Sequence, residues 1–151
     1  ELGAVVRLPG RVMEVGRTCV SAGQRSGHAI ALLWAGVAQL VVLHEVDHLM
    51  GCVSLPLSAG PQGVRSLIQR LDEKAFLPAE LDVRPRLPLP DADTRRGDLA
   101  MPGLLRSYLR MGAKVSSEPC WDPVFDVADL FVLLHRDRLT RRYARHFVVQ
   151  A

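Results

Sequence analysis

Apolar residues in the first third of the chain follow two patterns, and each pattern predicts a different element. Residues 11–20 carry three valines among polar residues and are predicted to form a strand, in which Gly16 indicates a bulge. A turn rich in glycine and serine follows. Residues 28–44 are then apolar on nearly every face, which predicts a helix covered on several sides. Residues 47–57 form an apolar run that is typical of a buried strand.

The second half of the chain alternates predicted helices and strands around a proline-rich connection. Pro61 stands at a favoured helix start, and apolar residues at helical spacing follow it as far as Leu71. Residues 77–102 contain closely spaced prolines, which predict an extended, irregular connection. The other predicted elements are a short amphipathic helix over residues 102–111 that ends at Gly112, strands over residues 114–117 and 127–135, and a terminal helix over residues 138–147.

The composition is typical of one globular domain. The chain has 151 residues, of which 48% are hydrophobic and 23% charged, and it is long enough to bury a core. We expect a single domain over residues 1–151 that is N-terminally incomplete, because Glu1 stands first and a strand-like segment starts almost at once. Cys19, Cys52 and Cys120 are odd in number and widely spaced, which predicts reduced, buried thiols and a cytoplasmic protein.

The charge distribution narrows the classes of partner. The net charge is +3, and basic residues concentrate late in the chain. They are typical either of a solvated cationic tail or of a surface that docks an acidic carrier protein or an anionic membrane. No nucleic-acid-binding motif accompanies them, so we expect no nucleic-acid partner. The basic residues are Arg136, Arg138, Arg141, Arg142 and Arg145.

The turn before the first helix is a candidate phosphate site. The first N–H groups of a helix lack partners inside the helix and can bind an anion. Six residues here fit the Q/R-x-x-G-x-G/A pattern of the GNAT acyltransferases. An ordinary strand–turn–helix connection has the same appearance, and the pattern alone does not choose between the two. The six residues are Gln24, Arg25, Ser26, Gly27, His28 and Ala29.

Glu14 and Arg17 place two charges inside the first predicted strand. An unpaired charge is costly to bury in apolar surroundings. The two residues therefore pair with each other or face solvent, or they line a cleft beside the bulge predicted at Gly16.

Residues 44–48, HEVDH, contain the HExxH pattern of zinc hydrolases and resemble the corresponding segment of the peptide deformylases. On one helix, His44 and His48 would share a face and could hold a metal ion, with Glu45 as general base. A competing interpretation ends the helix at His44 and places His48 in the next strand, where the histidines share no face. We favour the second interpretation, which leaves no metal ligands here.

Longer segments, taken in order, resemble the ornithine–acyl carrier protein N-acyltransferase family, whose members are often labelled hemolysin-like. This family belongs to the GNAT superfamily and is related to acyl-homoserine-lactone synthases and N-acyl amino acid synthases. The most specific part of the resemblance is residues 112–134. The resembling segments are MEVGRTCV (13–20), QRSGHAIALLWAGVAQ (24–39), DHLMGCVSLP (47–56), RPRLPLP (84–90), PGLLRSYLRMGAKVSSEPCWDPVFDVADLFVLL (102–134) and RYARHF (142–147).

The resemblance implies an α/β (α+β) GNAT-like fold, a mixed sheet flanked by helices, from which N-terminal strands and helices are missing. It implies transfer of a long-chain or 3-hydroxy fatty acyl group from acyl carrier protein to the α-amine of ornithine or a similar amino acid. Glu14 corresponds to the acidic residue of an E-x-x-R segment and would act as general base or orient the amine. Arg17 corresponds to the arginine, and a purely structural role for it stays open.

The resemblance also implies how the donor binds and where the protein works. Residues 24–29 would receive the phosphate of the phosphopantetheine arm of acyl carrier protein, or of coenzyme A, and no cofactor would be bound tightly. We expect a cytoplasmic enzyme with peripheral contact to the inner membrane face. Trp34 and Trp121 are expected to pack in the core rather than line an acyl pocket. Two alternatives stay open, a metal-dependent deformylase and a non-catalytic fragment that binds the carrier protein.

Overall fold

A mixed sheet with helices packed on it organises the chain. The computed structural model describes residues 1–16, 20–24, 27–91 and 97–138. The predicted terminal helix over residues 138–147 therefore lies almost wholly outside the described residues. In chain order the described strands and α-helices are β1 (Arg11–Glu14), α1 (Gly27–Leu43), β2 (Val46–Pro56), α2 (Gly60–Gln69), α3 (Gly103–Arg110), β3 (Lys114–Val115), β4 (Cys120–Asp122) and β5 (Val127–His135).

The sheet contains one parallel and three antiparallel strand pairs among the described residues. β1 lies parallel to β2, and α1 forms the crossover that a parallel pair requires. β2 lies antiparallel to β5 along its length, from His48 opposite His135 to Pro56 opposite Val127. β3 and β4 pair in turn with successive stretches of β5. The predicted α/β class and mixed, GNAT-like sheet are confirmed.

Alternating residues of the long strands form a covered face, which we define by the core side chains of β2 and β5. Val53, Leu55 and Leu130 are at most 1% exposed, and Val132 is 6% exposed. Side chains of a strand alternate between the two sides of a sheet, so these residues share one side. Buried residues of all three helices join them in a single cluster, which includes Val41, Val64, Leu67, Ile68 and Leu105.

Helix α1 is less buried than its sequence predicts. Leu32 and Leu43 are each 73% exposed and Val42 is 65% exposed, whereas Val41 is buried. The prediction of a helix covered on several sides is wrong for the described residues, because the side chains of α1 that face neither the sheet nor α3 are exposed to solvent. No described helix is long and apolar enough to span a bilayer.

The other boundaries follow local chemistry. Helix α2 begins with Pro61 in its first turn, as predicted, and α3 is followed by Gly112 at φ +87°, a conformation that favours glycine. β4 was not predicted, because Pro119 and Pro123 flank its residues. Proline is tolerated there because the two prolines lie outside the paired residues of β4, which pairs with β5 and forms only an isolated bridge, from Cys120 to Pro88, on its other side.

The first strand is shorter than predicted and its irregularity lies elsewhere. β1 ends at Glu14, and the bulge predicted at Gly16 is wrong because Gly16 follows the strand. The register with β2 instead shifts between Arg11 and Val12.

Candidate active site

The HEVDH segment forms the junction between α1 and β2. His44 lies in the turn after α1, whereas His48 lies in β2 and is 7% exposed, so the predicted separation of the two histidines is confirmed. The carbonyl oxygen of His44 accepts a hydrogen bond from the Arg11 guanidinium at 3.0 Å. The Asp47 carboxylate accepts one from the Arg11 N–H at 2.9 Å, which lowers the pKa of Asp47. The segment therefore anchors the start of β1.

The geometry of the junction does not support the alternative of a metal site at His44 and His48. His48 Nε2 lies 3.1 Å from the carbonyl oxygen of Pro9, in the segment that leads into β1. Across the parts of the chain that the structure describes, no three His, Cys, Asp or Glu side chains are grouped to hold an ion.

β1 and β2 run side by side for four residue pairs and then part. The last hydrogen bond described between them joins the Val15 N–H to the Met50 carbonyl oxygen at 2.8 Å. This approach depends on Gly51, because a Cβ atom there would lie 2.5 Å from the Val15 carbonyl oxygen. β2 continues to Pro56 whereas β1 ends at Glu14, so the pairing of the two strands stops here, at a point that we call the strand split.

An apolar groove of about 170 Å³ lies between α1, α3 and the segment that follows β1. Trp34 of α1 and Tyr108 of α3 form two of its walls, with ring centroids 5.7 Å apart and ring planes at 79°. Burial raises the pKa of Tyr108, which indicates a low-polarity environment. Trp34 packs against the core, as predicted, and its ring also lines the groove. The remaining lining residues are Val15, Val20, Leu33, Val37 and Leu104.

Glu14 and the groove lie on opposite faces of the sheet. Val15 lines the groove, and successive side chains of a strand point to opposite faces, so Glu14 faces away from it. Glu14 is exposed and stands opposite Met50 in the strand register.

The side of the sheet that carries Glu14 presents polar groups to solvent. We define its open face by Glu14, Cys52, Ser54, Asp129 and Phe131, which are exposed or partly buried. Ser54 donates a hydrogen bond to Asp129 at 2.6 Å between Oγ and Oδ1. The two residues are direct partners in the register of β2 and β5.

Cys52 corrects the prediction of buried thiols, because its side chain is exposed on the open face. Although the residue is exposed overall, partial desolvation, together with the nearby Asp129, Cys120 and Glu14, raises the pKa of Cys52 from 9.0 to about 11. The thiol is thus protonated at neutral pH and is a poor nucleophile.

The predicted phosphate turn is described only in part. A 3₁₀ turn over Ala22–Gln24 precedes the start of α1 at Gly27, and Ala29 is partly buried in its first turn. Arg17, Arg25 and Ser26 lie outside the described residues, as do the side chains of Gln24 and His28. A turn leading into a helix is confirmed, and its role in binding phosphate stays a prediction.

Sequence reasoning missed Ser54, Asp129 and Tyr108 as members of the site. A signal for Asp129 was present, since it is the one charge in the apolar run of residues 127–134. Its pairing with Ser54 depends on the register of two strands that are distant in sequence. Periodicity within either strand does not reveal that register.

Four curated proteins, each named L-ornithine N(alpha)-acyltransferase, match the chain, and they confirm the resemblance. The protein of Agrobacterium fabrum is 31% identical over 155 residues, covering 96% of this chain and 53% of the relative. That of Rhodobacter capsulatus is 31% identical over 147 residues, covering 87% of this chain and 56% of the relative. That of Brucella abortus is 28% identical over 150 residues, covering 93% and 53%.

The alignment covers only part of the sequence of each relative. The chain spans about half the length of the curated relatives it matches. No family model matches the chain, and no solved structure matches it.

Proposed function

The chain is homologous to the ornithine acyltransferase family over nearly its whole length, and from this premise we propose that it carries the central site of an N-acyltransferase. The proposed reaction moves a long-chain or 3-hydroxy fatty acyl group from acyl carrier protein to the α-amine of ornithine or a similar amino acid. The observation that supports it is the position of the apolar groove and the Glu14 carboxylate. The groove lies beside Val15 on one face of the sheet, and the exposed Glu14 carboxylate lies on the other face.

Acyl transfer needs a neutral amine held against a thioester carbonyl carbon. The bond from nitrogen to that carbon forms, the bond from carbon to sulfur breaks, and the thiol leaves on the phosphopantetheine arm. The proton that the nitrogen loses ends on the departing thiol. Glu14, as an ionised carboxylate, would orient the amine and accept this proton on its way. Arg17 is proposed as a second catalytic residue on the basis of the resemblance alone.

The groove is proposed to hold the acyl end of the donor. An acyl chain and a pantetheine arm present little charge, and the groove offers aromatic and aliphatic walls that include Trp34 and Tyr108. The phosphate is proposed to bind at residues 24–29, where the first N–H groups of α1 lack partners inside the helix. Acyl carrier protein and coenzyme A both carry such a phosphate; we propose the carrier protein as donor, with no tightly bound cofactor.

The late basic residues are proposed to dock the acidic carrier protein. Arg138 is exposed, whereas Arg136 already lies 3.4 Å from the Asp47 carboxylate, so Arg138 is the better candidate. Association through such charges would weaken as salt is added. The same charges would give peripheral contact with the anionic inner membrane face in the cytoplasm. Arg141, Arg142 and Arg145, which belong to the same predicted set, lie outside the described residues.

Incubation of the protein with a 3-hydroxyacyl carrier protein and ornithine, followed by mass spectrometry of the acylated amino acid, tests this function. We expect N-acyl-ornithine from the parent protein and a fall in kcat of about a hundredfold or more for Glu14→Gln, because general-base catalysis contributes that much. Glu80→Gln removes an exposed charge outside the sheet and should leave the rate unchanged. A parent protein that acylates no amino acid, or an unchanged rate in Glu14→Gln, would contradict the proposal.

A further inference from the structure

Asp129 is a carboxylate that the transfer chemistry does not use. It lies in β5 on the open face, partly buried, in a strand that is apolar from Leu130 to Leu134. Ser54 holds one of its oxygens at 2.6 Å. An ionised carboxylate has about four acceptor positions, so this bond orients Asp129 and leaves acceptor capacity free. Within the described ranges no Lys or Arg side chain forms an ion pair with it.

Asp129 and Glu14 flank Cys52 on the same face. Glu14 stands opposite Met50 and Asp129 opposite Ser54, on the two sides of β2. With about 3.3 Å per residue along a strand and 4.8 Å between strands, their Cα atoms are roughly 16 Å apart. Side chains inclined toward Cys52 would bring the carboxylates closer. Both negative charges act on the Cys52 thiol, so the fields of both carboxylates reach the space between them.

This spacing suits a diamino acid. An extended chain of five bonds, as between the two nitrogens of ornithine, spans roughly 6 Å. A charge-assisted hydrogen bond of about 3 Å at each end brings the required separation of the carboxylates to roughly 12 Å. Glu14 and Asp129 side chains that incline toward each other from Cα atoms roughly 16 Å apart would reach that separation. The protonated Cys52 thiol between them is a weakly polar surface against which methylene groups can lie.

We propose that Asp129, oriented by Ser54, binds the side-chain ammonium of the acceptor while Glu14 receives its α-amine. Asp129 is then the residue that makes the enzyme specific for basic amino acids, and this inference rests on the proposed function. A neutral acceptor of similar length, such as norvaline, gains nothing from Asp129. An acidic acceptor is repelled by it.

Competition between ornithine and norvaline as acceptors tests the inference. Asp129→Asn keeps the size of the side chain and its bond to Ser54 but removes the charge. We expect kcat/KM for ornithine to fall about tenfold or more, mainly through a higher KM, while the value for norvaline stays the same. Asp129→Glu should restore part of the preference. Glu118→Gln removes an exposed charge outside the open face and should leave the preference unchanged.

The possible results distinguish a failure of this inference from a failure of the proposed function. If the parent protein acylates ornithine and Asp129→Asn keeps the same ratio of ornithine to norvaline, the inference is wrong and the proposed function stands. If the parent protein acylates no amine, the proposed function fails, and calorimetric titration of ornithine and norvaline still tests the inference. The parent protein should then bind ornithine more tightly, and Ser54→Ala should reduce that difference. Equal binding of the two amino acids by the parent protein would overturn the inference.

Discussion

The two faces of the sheet use the same strands for different purposes. On the covered face, Leu55 and Leu130 are fully buried under the helices. On the open face, their neighbours in sequence, Ser54 and Asp129, meet solvent and form a hydrogen bond to each other. The comparison shows that alternate residues of one strand have different roles. Those on the covered face stabilise the fold, and those on the open face belong to the candidate site. Between Cys52 and Leu55 in β2 and between Asp129 and Val132 in β5, a substitution should therefore affect mainly folding or mainly reactivity, according to the face it lies on. Further along the same strands, His48 and Leu133 are buried on the Glu14 side as well.

The largest expected effect is on the covered face. Leu130→Ala should lower the free energy of unfolding by about 2–5 kcal/mol, because it removes a fully buried side chain and leaves a cavity. Urea denaturation measures this loss. Phe131→Ala, at the next residue on the open face, should cost less although the side chain is larger. Equal losses for the two variants would contradict the assignment of the faces.

Gly51 lies in β2 at the strand split, next to the Val15 carbonyl oxygen. Gly51→Ala should have the next largest effect. The added Cβ atom would collide with the Val15 carbonyl oxygen, and backbone must move to relieve the contact. We expect a loss of about 1–3 kcal/mol in the free energy of unfolding, measured by denaturation. A variant as stable as the parent protein would show that β1 is not held against β2 at this point.

Reactivity should change on the open face at Cys52. With a pKa of about 11 instead of 9.0, Cys52 has roughly a hundredfold less thiolate at pH 8 than an ordinary cysteine. The greater nucleophilicity of a more basic thiolate offsets part of this, so alkylation should be about tenfold slower. Mass spectrometry of the Cys52 peptide measures the rate, which should rise with pH up to about 11. Asp129→Asn should lower the pKa and speed alkylation at pH 8; an unchanged rate would show that Asp129 does not influence the thiol.

The smallest expected effect is on the exposed side of α1. A Cβ atom at Gly36 would meet nothing within 4 Å. Gly36→Ala should therefore raise the free energy of unfolding by about 0.5–1 kcal/mol, because alanine restricts the unfolded chain and favours helix. Denaturation under the conditions used for Gly51→Ala makes this the matched comparison. A destabilised variant would indicate that another surface packs against α1 at Gly36.

Local sequence patterns predicted much of the fold, because some elements are determined by the residues within them. The apolar run of β5 and the proline and apolar spacing of α2 were enough to place both. Features set by distant neighbours were not predictable. The close approach of Val15 to β2 depends on Gly51, which is distant in sequence, and the exposure of α1 depends on what other segments cover. Glu14 could be proposed as a site residue from its motif, whereas Asp129 could be proposed only from the strand register.

The account depends most on the donor lying on the covered side of the split while the acceptor approaches from the open face. Acyl carrier protein loaded with a photoreactive diazirine fatty acyl chain, crosslinked to the protein and mapped by mass spectrometry, tests this directly. We predict adducts on groove residues, among them Trp34, Leu104 and Tyr108. Adducts confined to Cys52, Ser54 or Phe131 would place the acyl chain on the open face and contradict the account.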